Sequence, residues 1–159
     1  MTDPRWRRRR RADDGAVHNN AEMVEYPHLL HTVIDTTEAR KLAEFYRQLL
    51  GLRYRQGDEP RSDGAADDAD WLVLVDASDA RRLAFQQVER LERTTWPEHD
   101  VPMQMHLDLS VSSVEQLWRQ RERAESLGAH LLLDRSDHAT EPLLVLADPS
   151  GHPFCIFVA

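Results

Sequence analysis

Two histidines and a cysteine stand at places where ligand chemistry is possible. His31 lies 20 residues before Gly51, and His106 lies 22 residues before Gly128, each at or near the start of an apolar-patterned segment. A neutral imidazole is the commonest protein ligand for a divalent metal, yet a strand histidine can equally be a hydrogen-bonded structural residue. Cys155 is flanked by Phe154 and Ile156. As a thiolate it would join two histidines in a His₂Cys set with an open position, a reasonable arrangement for Zn²⁺; as a thiol it is a small hydrophobe. No nucleophile-elbow sequence and no phosphate-cradling glycine loop is present.

Strand alternation decides which side chains join them, because residues i and i+2 share a face. His31 shares its face with Val33 and Asp35; Gln104, His106, Asp108 and Ser110 share another. Ala84 and Gln86 form a third set, and Cys155 and Phe157 a fourth. These faces are too polar for a dry core and too apolar for a plain solvated surface, which suits the lining of a small-molecule site. Gln86 and Asp108 could instead serve only neighbouring polar groups. The alternate faces, with Met105, Leu107 and Leu109 or Phe154, Ile156 and Val158, are expected to pack under helices.

The elements that position these residues come twice. Residues 29–35 read as a strand, followed by a helix capped by Thr36 or Thr37. Its apolar positions Ala39, Leu42, Ala43, Tyr46, Leu49 and Leu50 keep the helical period up to Gly51. Strands follow at 52–56, 71–76 and 82–88, the last two as a hairpin around Ala77, Ser78 and Asp79. The acidic segment 57–70 reads as a solvated loop. After a connector over 89–102 the order returns: a strand over 103–111, a helix opened by a Ser112/Glu115 capping box and closed at Gly128, and strands at 129–134, 142–147 and 152–158. Each half is β-α-β-β-β.

Composition sets the bounds. The chain has 159 residues, 41% hydrophobic and 30% charged, which fits one folded domain. A net charge of −8 argues against nucleic acid as the main partner. No apolar run is long enough to span a bilayer, so no membrane association is expected. One cysteine allows no internal disulfide and points to a reducing cytoplasm. Residues 1–27 carry six arginines and five acids, and are expected to be a disordered tail or sequence upstream of a natural start at Met23.

His31 with Glu38, Phe45-Tyr46 and Leu50-Gly51-Leu52 resembles the opening of the vicinal oxygen chelate superfamily. That group includes glyoxalase I, extradiol dioxygenases and the fosfomycin- and bleomycin-resistance proteins. His106-Leu107-Asp108-Leu109-Ser110-Val111 and the ending Asp148-Pro149-Ser150-Gly151-His152-Pro153 resemble its second module and closing turn. The resemblance covers 28–158 and lies nearest the glyoxalase-like branch. It implies an α+β fold: one domain over 28–159, with modules 28–90 and 103–159. These two tandem βαβββ modules would form an open, incomplete eight-stranded barrel with the helices outside.

The resemblance also implies a metal held by His31 and His106. The two positions where the family carries Glu hold Ala84 (or Gln86, one step on) and Cys155 here. Zn, Ni, Fe or Mn is therefore one expectation, and no cofactor is the other. The expected function is a small-molecule site lined by His31, Asp35, Ala84, Gln86, Gln104, His106, Asp108, Cys155 and Phe157. It would serve a metal-assisted lyase, isomerase or dioxygenase, or a metal-free protein that sequesters a drug or aromatic ligand. A cytoplasmic homodimer is expected.

Overall fold

The computed structural model describes residues 26–63 and 67–159. The Arg-rich segment and Met23 lie outside the described residues, as does the tip of the acidic loop. Three of the described acids of that loop are paired with arginines: Asp58 with Arg55 at 2.9 Å, Asp63 with Arg61 at 2.6 Å, and Asp67 with Arg40.

The chain order is β1 (Thr32–Thr36), α1 (Ala39–Leu50), β2 (Arg53–Tyr54), β3 (Trp71–Val75), β4 (Arg81–Gln87), β5 (Leu107–Val111), α2 (Val114–Ser126), β6 (His130–Arg135), β7 (Leu143–Ala147) and β8 (Pro153–Val158). The α+β fold of two βαβββ modules is as expected. The eight strands form two four-stranded sheets, ordered β1-β4-β3-β2 and β5-β8-β7-β6, and no closed barrel. In each sheet the first strand pairs parallel with the last, and the remaining pairs are antiparallel. The parallel pairing follows from the helix, which returns the chain across the sheet.

Helix α1 buries Leu42, Ala43, Phe45, Tyr46 and Leu49, a broad apolar stripe at helical spacing. It stops at Gly51, whose φ of 66° lies in the left-handed region that favours glycine. Its start differs from expectation. Thr36 Oγ1 accepts from Glu38 N at 3.1 Å, but the Ala39 N–H is taken by Gln87 Oε1 at 2.7 Å, from the end of β4. Helix α2 is capped by Ser113, not Ser112: its Oγ accepts from Gln116 N at 3.2 Å. Val111 is still paired with Val158 in the sheet, so the bend falls one residue later and Glu115 pairs with Arg119 instead.

Both modules share one core. Leu72, Leu74, Leu83 and Phe85 of the first sheet belong to the same buried cluster as Leu144, Leu146, Phe154 and Ile156 of the second. Tyr46 stacks on Phe85 at 5.7 Å and meets Phe154 edge-on at 6.3 Å. Its hydroxyl donates to Asp148 Oδ2 at 3.0 Å, and both residues are buried. Asp148 Oδ1 accepts the N–H groups of Ser150 and His152 at 2.9 and 3.0 Å, fixing the closing turn. Burial pushes the Tyr46 hydroxyl well above its ordinary value, with the Asp148 charge adding to it. Asp148→Ala orphans one hydroxyl and two N–H groups together, so chemical denaturation is expected to show a loss of about 3 kcal/mol or more. Tyr46→Phe, which leaves the turn bonds intact, is expected to cost about 1–2 kcal/mol by the same measurement.

Candidate functional site

The helix-free faces of the two sheets carry the residues singled out above, and the two faces differ. On the first sheet Val33 pairs with Ala84, and Ala84 with Val73. Ala84, Val73 and Val75 make a small buried cluster of their own, so Ala84 is covered. His31, immediately before β1, meets Trp71 edge-on at 6.3 Å, and its Nδ1 is buried without a hydrogen-bond partner among the described residues.

The second sheet presents a cluster. Asp108 stands opposite Cys155 in the β5–β8 ladder, with His106 just ahead of β5. One donor atom from each of His106, Asp108 and Cys155 lies within 4.8 Å of the other two. His106 Nε2 is 3.2 Å from Asp108 Oδ1. His31 is not in this group, so within one chain the two histidines are not brought together. The third donor is instead Asp108, two residues beyond His106 on the same face. Phe157 continues that face beyond Cys155, half-buried, and Leu133 is exposed on it.

A nitrogen, a carboxylate oxygen and a sulfur fit a borderline divalent ion, for which mixed donor sets are ordinary. Without an ion the sulfur is a thiol. Burial, then the charge and hydrogen bonding of Asp108, push Cys155 up to about 11. The thiol is therefore a poor nucleophile at neutral pH, because the reactive form is the thiolate.

Asp35, Gln86 and Gln104 gather elsewhere, around a cavity between the connector and the closing turn. Gln104 is not in a strand, since β5 begins only at Leu107. Met105, expected in the core, is 58% exposed and lines the same cavity. Arg93 of the connector, which no motif marks, lines the cavity too, as does His152 of the closing turn. His152 Nε2 donates to the Asp35 carbonyl at 2.8 Å, and Thr36 and Ser150 hydroxyls meet at 2.7 Å, tying the turn to β1. Nothing in the spacing of these residues announces contacts more than a hundred positions apart.

The state of Cys155 can be read by its alkylation rate against pH. Wild-type protein is expected to react with iodoacetamide chiefly as pH approaches 11. Asp108→Asn removes the charge beside the sulfur and should move the onset to lower pH; an unchanged profile would show that burial alone sets it.

Comparison with known proteins agrees with this architecture. The glyoxalase-like domain family matches residues 31–157. No curated protein matches the chain. Among solved structures, a glyoxalase/bleomycin resistance protein/dioxygenase family enzyme from Burkholderia phytofirmans PsJN superposes with a TM-score of 0.59 at 16% identity, covering 81% of this chain and 96% of that one. The fosfomycin resistance protein FosX from Mesorhizobium loti gives 0.57 at 15% identity, covering 85% and 94%. FosX from Listeria monocytogenes, solved with Mn(II) and sulfate, gives 0.57 at 14% identity over the same shares. At such identities the likeness shows the fold alone. With the family match spanning most of the sequence, the chain belongs to the glyoxalase-like domain family.

Proposed function

We propose that this protein is a metal-assisted enzyme of the lyase, isomerase or dioxygenase kind, acting on a small substrate that carries oxygen donors. The observation that carries this reading is the convergence of His106, Asp108 and Cys155 on one helix-free sheet face. A divalent ion bound there would polarise a substrate oxygen. The mixed donor set favours Zn or Ni over the Mn(II) found with the Listeria FosX, since a sulfur ligand suits softer ions.

The chain's own groups then have separate tasks. His106 and Cys155 supply nitrogen and sulfur, and Asp108 supplies oxygen while holding the thiol proton in place until an ion displaces it. Phe157 and Leu133 give the substrate an apolar surface beside the donors. His31 joins the site only through a second copy. Strands β1 and β5 are both unpaired sheet edges, and Leu29, Leu30, Val33 and Met105 are exposed near them. A homodimer that set the first-module face of one copy against the second-module face of the other would bury these groups and bring His31 toward the cluster. Sedimentation should then report about twice the 18.4 kDa chain mass.

A second reading, a metal-free protein that sequesters an aromatic ligand or drug, is supported by the protonated thiol and by Ala84 standing where a carboxylate ligand was expected. Elemental mass spectrometry separates the two. Untagged protein grown with Zn, Ni, Fe and Mn supplied is expected to carry near-stoichiometric metal, lost in a His106→Ala/Cys155→Ser variant. Because the ion must displace a proton from Cys155, affinity measured against a chelator should rise about tenfold per pH unit below the thiol's pKa. Metal-free wild-type protein would sink the first reading.

A further inference from the structure

Where the connector crosses from one module to the other, a cavity of about 640 Å³ lies between the ends of β1 and β4, residues 101–105 and the closing turn. That volume is in the range of small-molecule sites, roughly 300–1,000 Å³. Val33, Leu91, Met103 and Met105 give it an apolar wall, and the thioethers adapt to ligand shape. Asp35, Gln86 and Gln104, all exposed, are among its polar side chains. Asp35 and Gln86 stand opposite each other in the β1–β4 ladder, and Gln104 comes from the connector.

None of these three side chains has a hydrogen bond or ion pair among the described residues. The basic side chains on the wall bond to backbone carbonyls and not to the Asp35 carboxylate. Arg93 donates to the Pro149 carbonyl at 3.3 Å, and its stem lies where a side chain at Gly151 would stand, 2.9 Å from an added Cβ. His152 is bonded to the backbone carbonyl of Asp35, not to its carboxylate. Glu92 adds a second acid to the rim. The cavity therefore offers a solvent-facing carboxylate and two amides that make no hydrogen bond or ion pair among the described residues, beside a thioether-rich wall.

We propose that this cavity binds a small organic ammonium with an apolar body, its N–H groups on Asp35 and the amide oxygens of Gln86 and Gln104. The body would rest on Met103 and Met105. A carboxylate ligand would meet Asp35 and Glu92 as like charges, and a neutral one would gain no charge-assisted bond to Asp35. The site does not rest on the metal reading, because its polar groups are not those of the His106 cluster.

The test is calorimetric titration of the full chain, with a chelator present, using three probes that share one aromatic body: phenethylamine, phenethyl alcohol and phenylacetate. Phenethylamine is expected to bind about tenfold more tightly than the alcohol, the order of a charge-assisted hydrogen bond, and phenylacetate least of all. Asp35→Asn keeps the shape of a side chain that makes no hydrogen bond or ion pair among the described residues. It should lower phenethylamine affinity about tenfold and leave the alcohol unchanged. Met103→Ala should weaken both. Equal binding of all three probes, no binding of phenethylamine, or an unchanged Asp35→Asn variant would overturn the proposal. Binding that appears only when the chelator is replaced by Zn²⁺ would overturn it too, by moving the ammonium to the metal cluster.

Discussion

A phenol hydroxyl removed from water must find an acceptor, and the placement of Tyr46 makes that need organise the molecule. Its ring fills the space between Phe85 of one sheet and Phe154 of the other. Its oxygen can then only be satisfied from the same interior, and Asp148 supplies the acceptor. Burying that carboxylate is itself unfavourable, which raises its pKa; the charge of His152, the N–H groups of the closing turn and the Tyr46 hydroxyl offset the cost. One buried pair thus holds α1, the closing turn and the entry to β8 together. The cysteine two residues into β8 inherits its position from a contact in the core.

The two modules repeat in topology but have diverged in what their helix-free faces do. The first face is covered at Ala84 and Val73, and His31 packs with Trp71, while Val33, Asp35 and Gln86 of that face stay exposed. The second keeps three ligand-type side chains together at moderate exposure. The two equivalent platforms thus differ in which side chains they leave open. The seam between them brings Asp35 and Gln86 of the first sheet beside Gln104 of the connector, none of which has a side-chain hydrogen bond or ion pair among the described residues.

Much of this was readable from residue order. The period of α1, the glycine at 51 and the alternation along β4, β5 and β8 specify elements whose cores the structure places as expected. The closing turn was recognisable from Asp148 to His152 as a motif. What could not be read is anything set by distance in three dimensions. Gln87 looks like a strand residue and acts as a helix cap; Ser112 and Ser113 are chemically alike, and the reach of β5 decides between them. His31 and His106 occupy equivalent module positions, which suggested one shared site. Whether equivalent positions converge depends on how the sheets are set against each other, and alternation along a strand carries no information about that.

The Gln87 cap has a consequence for how the chain reaches this structure. Isolated helices of a dozen residues are marginal in water, and the first turn is the costly part to form. Here a first-turn N–H of α1 is served by a side chain 48 positions later in the sequence. Helix α1 therefore acquires its full hydrogen bonding only once β4 has docked beside β1. Secondary structure and tertiary topology in this module become a single cooperative event, dominated by non-local contacts of the kind that slow folding.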